Sequence, residues 1–392
     1  MDTFITDDFQ IFIKPVGARC NLRCRYCYYL DKGGVCGAEC QNVMDDATLE
    51  KYIKHHYSAS TSDTVLFTWH GGEPLLAGID FYQKALFFQE KYLPQGKMFR
   101  NGIQTNGTLI TNEWCVFLAE HGFTVGISLD GMEALHNSMR FFKNGKGSFE
   151  KTIRGHGLLQ AYGINPEILC VVNSCNVYYP LAVYDFFKML GARYISFLPL
   201  VGRRDDFSDE TTQESVPALE FGLFLISIFD EWVGKDSGEV KIQIFEEALR
   251  TACHQAHSLC IFREECGGVP VVERNGNLYP CDHFVEEERL IGNIHEQSLK
   301  YLLNHPAQKA FGKNKQQTLP QYCNQCEVKE MCNGECPKNR FLTSPDERND
   351  NATPTAEHRL NYLCEGYQLF FNHCKPFIQA VSDQWLMENN RR

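Results

Sequence analysis

From Phe9 to about Leu200, short apolar runs alternate with amphipathic stretches, which restricts the chain to repeated strand-helix units around a parallel sheet. The expected strands are Ile11 to Lys14, Val65 to Trp69, Phe99 to Thr105, Thr124 to Leu129, Glu167 to Val172 and Tyr194 to Pro199. Helical periodicity lies between them at Asp46 to His56, Phe81 to Tyr92, Asn112 to His121, Phe149 to Tyr162 and Leu181 to Leu190. Six such strands are too few to close an eight-stranded barrel. A helical connector follows, from about Gln213 to Ala252, and then the sequence becomes rich in cysteine. The boundaries expected on this basis are 1–212 for the strand-helix domain, 213–254 for the connector and 255–392 for the cysteine-rich domain with a C-terminal helix.

Cys20, Cys24 and Cys27 follow the first apolar run in the order Cys-Asn-Leu-Arg-Cys-Arg-Tyr-Cys. A four-iron cluster normally takes four thiolates, so a loop offering three leaves one iron open to a small ligand. Two further stretches end candidate strands: His70-Gly71-Gly72-Glu73-Pro74 and Gln104-Thr105-Asn106-Gly107. Paired glycines allow a close backbone approach. Zinc is the competing ligand for closely spaced cysteines, but zinc sites usually show Cys pairs. Farther along stand Cys260, Cys266 and Cys281, then Cys323-x-x-Cys326-x5-Cys332-x3-Cys336, and Cys364. These eight make two sets of four, and four thiolates leave no iron open. Four-thiolate sets also hold zinc, and spacing alone does not say which cysteines group together.

At 392 residues and 43% hydrophobic, the chain buries more than one core. A net charge of −11 with no Lys/Arg block argues against a nucleic-acid binder. Met1-Asp2-Thr3-Phe4 lacks signal-peptide character and no run has membrane-spanning length, so a cytoplasmic protein is expected. In that compartment thiols stay reduced, and eighteen cysteines point to metal or cluster ligation rather than disulfides. Ser344 to Glu357 reads as a surface loop.

The triplet and both glycine-bearing stretches resemble the radical S-adenosylmethionine (SAM) superfamily, and the eight later cysteines resemble its SPASM extension. Lys14-Pro15, Tyr28-Tyr29, Gly71-Gly72-Glu73-Pro74, Ser128-Leu129-Asp130-Gly131, Tyr279-Pro280-Cys281-Asp282 and Cys336-Pro337-Lys338-Asn339-Arg340-Phe341 together look like anaerobic sulfatase-maturating enzymes. His70 and His283 depart from that pattern, standing where many members have glutamine and an aromatic residue. The resemblance implies an α/β fold: a partial (β/α)6 barrel followed by a SPASM domain with two auxiliary iron-sulfur clusters. It also implies three four-iron clusters and S-adenosylmethionine as cofactors. Cys20, Cys24 and Cys27 would hold the SAM-binding cluster. The auxiliary ligand sets would be Cys260, Cys266, Cys281 and Cys336, and Cys323, Cys326, Cys332 and Cys364.

The implied reaction is oxidation of a cysteine or serine of a sulfatase precursor, within Cys/Ser-x-Pro/Ala-x-Arg, to Cα-formylglycine under anaerobic conditions. Asp282 is the expected proton acceptor, with an auxiliary cluster as electron acceptor; burial of Asp282 would raise its pKa. Gly72, Glu73, Ser128, Arg140, Asn173, Leu198 and Tyr29 are expected around the cofactor, Glu73 acting indirectly or by shaping its loop. Reduced flavodoxin or ferredoxin is the expected electron donor, with no nucleic-acid or membrane partner. The alternatives are a maturase for another peptide, an electron-transfer protein and a zinc-stabilised interaction module. Cys36, Cys40, Cys115, Cys170, Cys175, Cys253 and Cys374 receive no function; Cys115 and Cys170 fall at core positions.

Overall fold

The computed structural model describes residues 9–30, 32, 43–204, 209–348 and 359–389. Cys36, Cys40 and most of the expected loop from Ser344 to Glu357 lie outside the described residues. The alternation runs β1 (Phe12–Lys14), α1 (Asp46–Ala59), β2 (Thr64–Trp69), α2 (Ile79–Tyr92), β3 (Met98–Thr105), α3 (Asn112–Glu120), β4 (Thr124–Ser128), α4 (Glu133–Met139), α5 (Phe149–Ala161), β5 (Glu167–Val172), α6 (Pro180–Met189) and β6 (Tyr194–Pro199). After it come α7 (Ala218–Lys235), β7 (Lys241–Ile242), α8 (Gln243–Ala252) and the short strands β8 (Val271–Glu273), β9 (Asn277–Tyr279) and β10 (Gly292–Asn293). Two compact units result: residues 1–128, 136–166 and 267–312, and residues 129–135, 167–266 and 313–392.

In the first unit β1, β2, β3 and β4 pair in parallel in that order. β8 adds to the free edge of β1 in parallel, and β9 and β10 extend it as an antiparallel ribbon. Three strands from the cysteine-rich part of the sequence therefore complete the sheet begun by the N-terminal repeats. Ile11 and Ile13, with Val65, Phe67 and Trp69, alternate toward the core. Against them α1 turns Leu49, Tyr52, Ile53 and Tyr57 on one helical stripe. Asp45 caps α1 by accepting from the Thr48 N–H at 2.7 Å.

His56 belongs to the same buried face, with its Nδ1 2.8 Å from the Tyr52 hydroxyl and its ring 4.8 Å from that of Phe67. Burial pushes its pKa from 6.5 down to about 3. The unfolded chain therefore takes up this proton first, and stability falls as pH drops below the unfolded value. Between about pH 7 and about pH 5 this one residue is expected to remove roughly 2 kcal/mol. Urea unfolding at both pH values checks it, because His56→Gln should lose that part of the slope.

In the second unit β5, β6 and β7 pair in parallel. Helix α7 meets the C-terminal helix Cys364–Asn389 at two glycines: a Cβ at Gly366 would lie 2.0 Å from the Ala218 carbonyl, and one at Gly222 would lie 2.6 Å from that of Gly366. Phe221, Phe229, Phe245, Tyr367 and Phe370 fill the aromatic core around this crossing.

Candidate active site

The loop after β1 carries Cys20, Cys24 and Cys27, all half-buried. Backbone bonds hold it on one side, from Arg23 N–H to Phe141 O and from Arg25 N–H to Met139 O, each 2.8 Å. On the other side Asn21 donates to Thr108 Oγ1 at 2.8 Å and accepts from Asn106 Nδ2 at 2.9 Å. Asn106 Nδ2 also lies 3.8 Å from Cys20 Sγ. Burial first, and then the Glu73 carboxylate, push the Cys20 thiol up to about 12. A thiolate at that position requires added positive charge, and a metal centre supplies it.

The glycine loop packs directly on the cysteine loop. Gly72 N–H donates to Gly17 O at 2.8 Å and Glu73 N–H to Arg19 O at 2.9 Å. A Cβ at Gly72 would stand 2.1 Å from the Arg19 carbonyl oxygen, so the approach admits glycine alone. Gly72→Ala is expected to cost about 3 kcal/mol, because two backbone segments must separate. Thermal unfolding measures that loss, and iron analysis should show fewer irons retained because the shifted segment bears Cys20.

Glu73 is fully buried and ties the loop to the end of β3: Oε1 accepts from Leu75 N–H at 3.0 Å and Thr105 Oγ1 at 2.8 Å, and Oε2 from Asn106 N–H at 2.8 Å. Burial raises its pKa to about 7 against those donors. These bonds tie the glycine loop to the end of β3 through the Glu73 carboxylate. Ser128, at the end of β4, accepts from Gln104 Nε2 at 3.2 Å. The Arg140 guanidinium lies over the Tyr26 ring, 5.3 Å from its centroid, within the cysteine loop.

Asp282 follows β9 and is buried. Its Oδ1 lies 2.5 Å from Lys14 Nζ, and its Oδ2 accepts from the Tyr28 hydroxyl at 2.5 Å. Burial opposes its charge, yet the Lys14 ammonium foremost holds the carboxyl well below the usual carboxylate range. The expected upward shift is thus reversed by a buried ammonium. Lys14 itself has no solvent exposure, lies 4.0 Å from the Tyr29 ring centroid and lies 3.1 Å from His70 Nδ1. The Tyr29 hydroxyl donates to Glu273, whose pKa burial raises. The Tyr28 ring lies 4.6 Å from that of His283, tilted by 48°.

The first unit thus brings together the cysteine triplet, Gly72, Glu73, Ser128, Arg140, Tyr29 and Asp282, and adds Lys14, Tyr28 and His70, which had no expected role. Lys14 was visible as part of the Lys14-Pro15 motif and as a lysine inside the apolar run from Phe9 to Pro15. Asn173 and Leu198 belong to the second unit. Asn173 makes its own turn, with Oδ1 accepting from Cys175 N–H at 2.9 Å and Nδ2 donating to Val171 O at 3.0 Å. Leu198 lies in β6, paired with Val171.

In the second unit Cys323, Cys326, Cys332 and Cys364 line one pocket, with Asn361 and Gln368 beside them. Gln368 Nε2 lies 3.4 Å from Cys326 Sγ. These four cysteines border one common space. That donor set fits a multi-iron cluster. Cys260, Cys266 and Cys336 are also in this unit, whereas Cys281 belongs to the first. The Lys315 ammonium donates to Cys260 O at 3.1 Å and Ile261 O at 2.6 Å, and Arg340 donates to the carbonyls of Lys315, Asn333 and Gly334. Cys115, Cys170 and Cys374 are buried.

Residues 15–178 match the radical SAM superfamily, and residues 266–327 match a SPASM iron-sulfur cluster-binding domain. The chain is 42% identical over 95% of its length to a serine-type anaerobic sulfatase-maturating enzyme of Bacteroides thetaiotaomicron, covering 91% of it. It is 31% identical over 95% of its length to a cysteine-type anaerobic sulfatase-maturating enzyme of Clostridium perfringens, covering 98% of that protein. A solved structure described as native anSMEcpe with bound AdoMet and Kp18Cys peptide superposes with a TM-score of 0.83 at 29% identity, over 95% of this chain and 99% of that one.

Proposed function

The chain belongs to the anaerobic sulfatase-maturating enzymes, with the partial (β/α)6 radical SAM barrel and SPASM domain of that family, and we propose that it oxidises a seryl or cysteinyl residue of a sulfatase precursor to Cα-formylglycine. The observation that carries this reading is the buried Asp282 carboxylate, fixed by Lys14 and Tyr28 in the same unit as the three-cysteine loop. Cys20, Cys24 and Cys27 would hold the SAM-binding cluster; Cys323, Cys326, Cys332 and Cys364 one auxiliary cluster; and Cys260, Cys266, Cys281 and Cys336 the other. With SAM bound and one electron delivered from the donor, the first cluster would supply a 5′-deoxyadenosyl radical, with methionine released, for removing a hydrogen atom from the target Cβ, and an auxiliary cluster would supply an acceptor for the one electron left over.

The chain's own part is to take the proton. As the Cβ radical loses its electron, the target hydroxyl or thiol becomes acidic, and Asp282 accepts its proton at a carboxylate oxygen. A seryl target ends as the aldehyde; a cysteinyl target ends as a thioaldehyde, which water hydrolyses. The Gly72 contact and the Glu73 strut keep the cysteine loop and the ends of β2 and β3 in fixed register.

The target is read as Cys/Ser-x-Pro/Ala-x-Arg, the reaction as cytoplasmic, and the electron donor as a reduced flavodoxin or ferredoxin. Among the described residues no helix is long and apolar enough to cross a membrane. The higher identity to the serine-type relative makes the seryl peptide the first substrate to try. Anaerobically reconstituted, dithionite-reduced enzyme with SAM should remove two hydrogens from that peptide and form deoxyadenosine alongside. Deoxyadenosine without a change in the seryl or the cysteinyl peptide would refute the sulfatase assignment.

A further inference from the structure

Asp282 could reach a target from many rotamers, yet the structure gives it one. We propose that Lys14 is the positioning residue for proton acceptance, binding Asp282 and His70 from a single buried ammonium so that the carboxylate keeps one orientation; the inference rests on the function proposed above. Lys14 is wholly buried in β1, and its charge meets Asp282 Oδ1 at 2.5 Å, His70 Nδ1 at 3.1 Å and the face of Tyr29 at 4.0 Å. Its stem is confined as well, since a Cβ at Gly71 would touch the Lys14 Cδ at 3.0 Å. With Oδ1 held there, Oδ2 faces the Tyr28 hydroxyl.

The state of His70 follows from its donors. The Gly71 N–H points at Nδ1 from 2.8 Å, and Lys14 reaches the same nitrogen. Both groups only donate, so Nδ1 is the acceptor and the proton sits on Nε2. Burial and the Lys14 charge keep this ring neutral. His70 also stacks on Phe12 at 4.8 Å and 10°, which leaves it little freedom. The ammonium is thereby held at both ends, by an acceptor nitrogen and by a carboxylate. An amide oxygen at position 70 would serve as the same acceptor, which is why His70→Gln is expected to be tolerated and His70→Leu is not.

The test separates proton acceptance from cofactor chemistry by measuring deoxyadenosine and oxidised peptide in the same tube. Lys14→Met should keep iron content and deoxyadenosine formation near those of the wild type while peptide oxidation falls about 100-fold. In an Asp282→Asn background, Lys14→Met should reduce peptide oxidation no further, because the residue acts through Asp282. The double variant also removes both charges, so it guards against a single variant that fails to fold. His70→Gln should retain at least half of the coupled yield, and His70→Leu should fall toward Lys14→Met. Equal losses of deoxyadenosine and peptide product in Lys14→Met would overturn the inference, as would full additivity in the double variant. A wild-type enzyme that leaves the peptides untouched refutes the proposed function and takes this inference with it.

Discussion

Cys24→Ala should abolish deoxyadenosine formation, down to the background seen without enzyme, while leaving the rest of the chain folded. The loop that bears Cys24 is fastened by groups that the substitution does not touch: Asn21 to Thr108, Asn106 to Asn21, and the backbone pairs at Arg23 and Arg25. Only a ligand is lost. Two thiolates do not hold a cluster that already has one iron unligated by protein, so the variant should bind roughly four fewer irons per chain. Iron and sulfide analysis of anaerobic protein measures this directly. The iron of the two proposed auxiliary sites should remain, which distinguishes loss of one centre from general unfolding.

Asp282→Asn carries the second large effect. The substitution keeps the shape of the side chain and removes the proposed proton acceptor, so peptide oxidation is expected to fall by about 10²- to 10⁴-fold. Deoxyadenosine should continue to form, because the residue does not contact the cysteine triplet in any bond described above. A stability cost accompanies it. Lys14 would remain buried with His70 and the Tyr29 ring but without its anion, and breaking a buried pair costs about 3–5 kcal/mol. Activity is therefore compared as product per deoxyadenosine, at a temperature where the variant is folded.

The six strand-helix repeats were legible because each core strand and each amphipathic helix repeats its own period over several residues. The observed strands β2 to β6 depart from the expected ones by a residue at most at each end. The β8–β10 ribbon was not legible, since strands of two or three residues owe their existence to the edge of β1 rather than to their own pattern. The cysteine triplet and the glycine loop announce themselves by spacing. Lys14 did not, because its importance depends on Asp282, 268 positions away, arriving beside it through β8 and β9. The low pKa of Asp282 was hidden for the same reason: burial could be suspected from sequence, but its buried counter-charge could not.

The most direct measurement uses a seryl sulfatase peptide deuterated at the target Cβ, with reduced enzyme and SAM under anaerobic conditions, and reads the mass of the deoxyadenosine. One deuterium should appear in deoxyadenosine for each peptide converted to formylglycine, since the hydrogen atom leaves that carbon for the radical. Formylglycine accompanied by unlabelled deoxyadenosine would contradict hydrogen abstraction at Cβ, and with it the account of how this chain divides the work between its cysteine loop and Asp282.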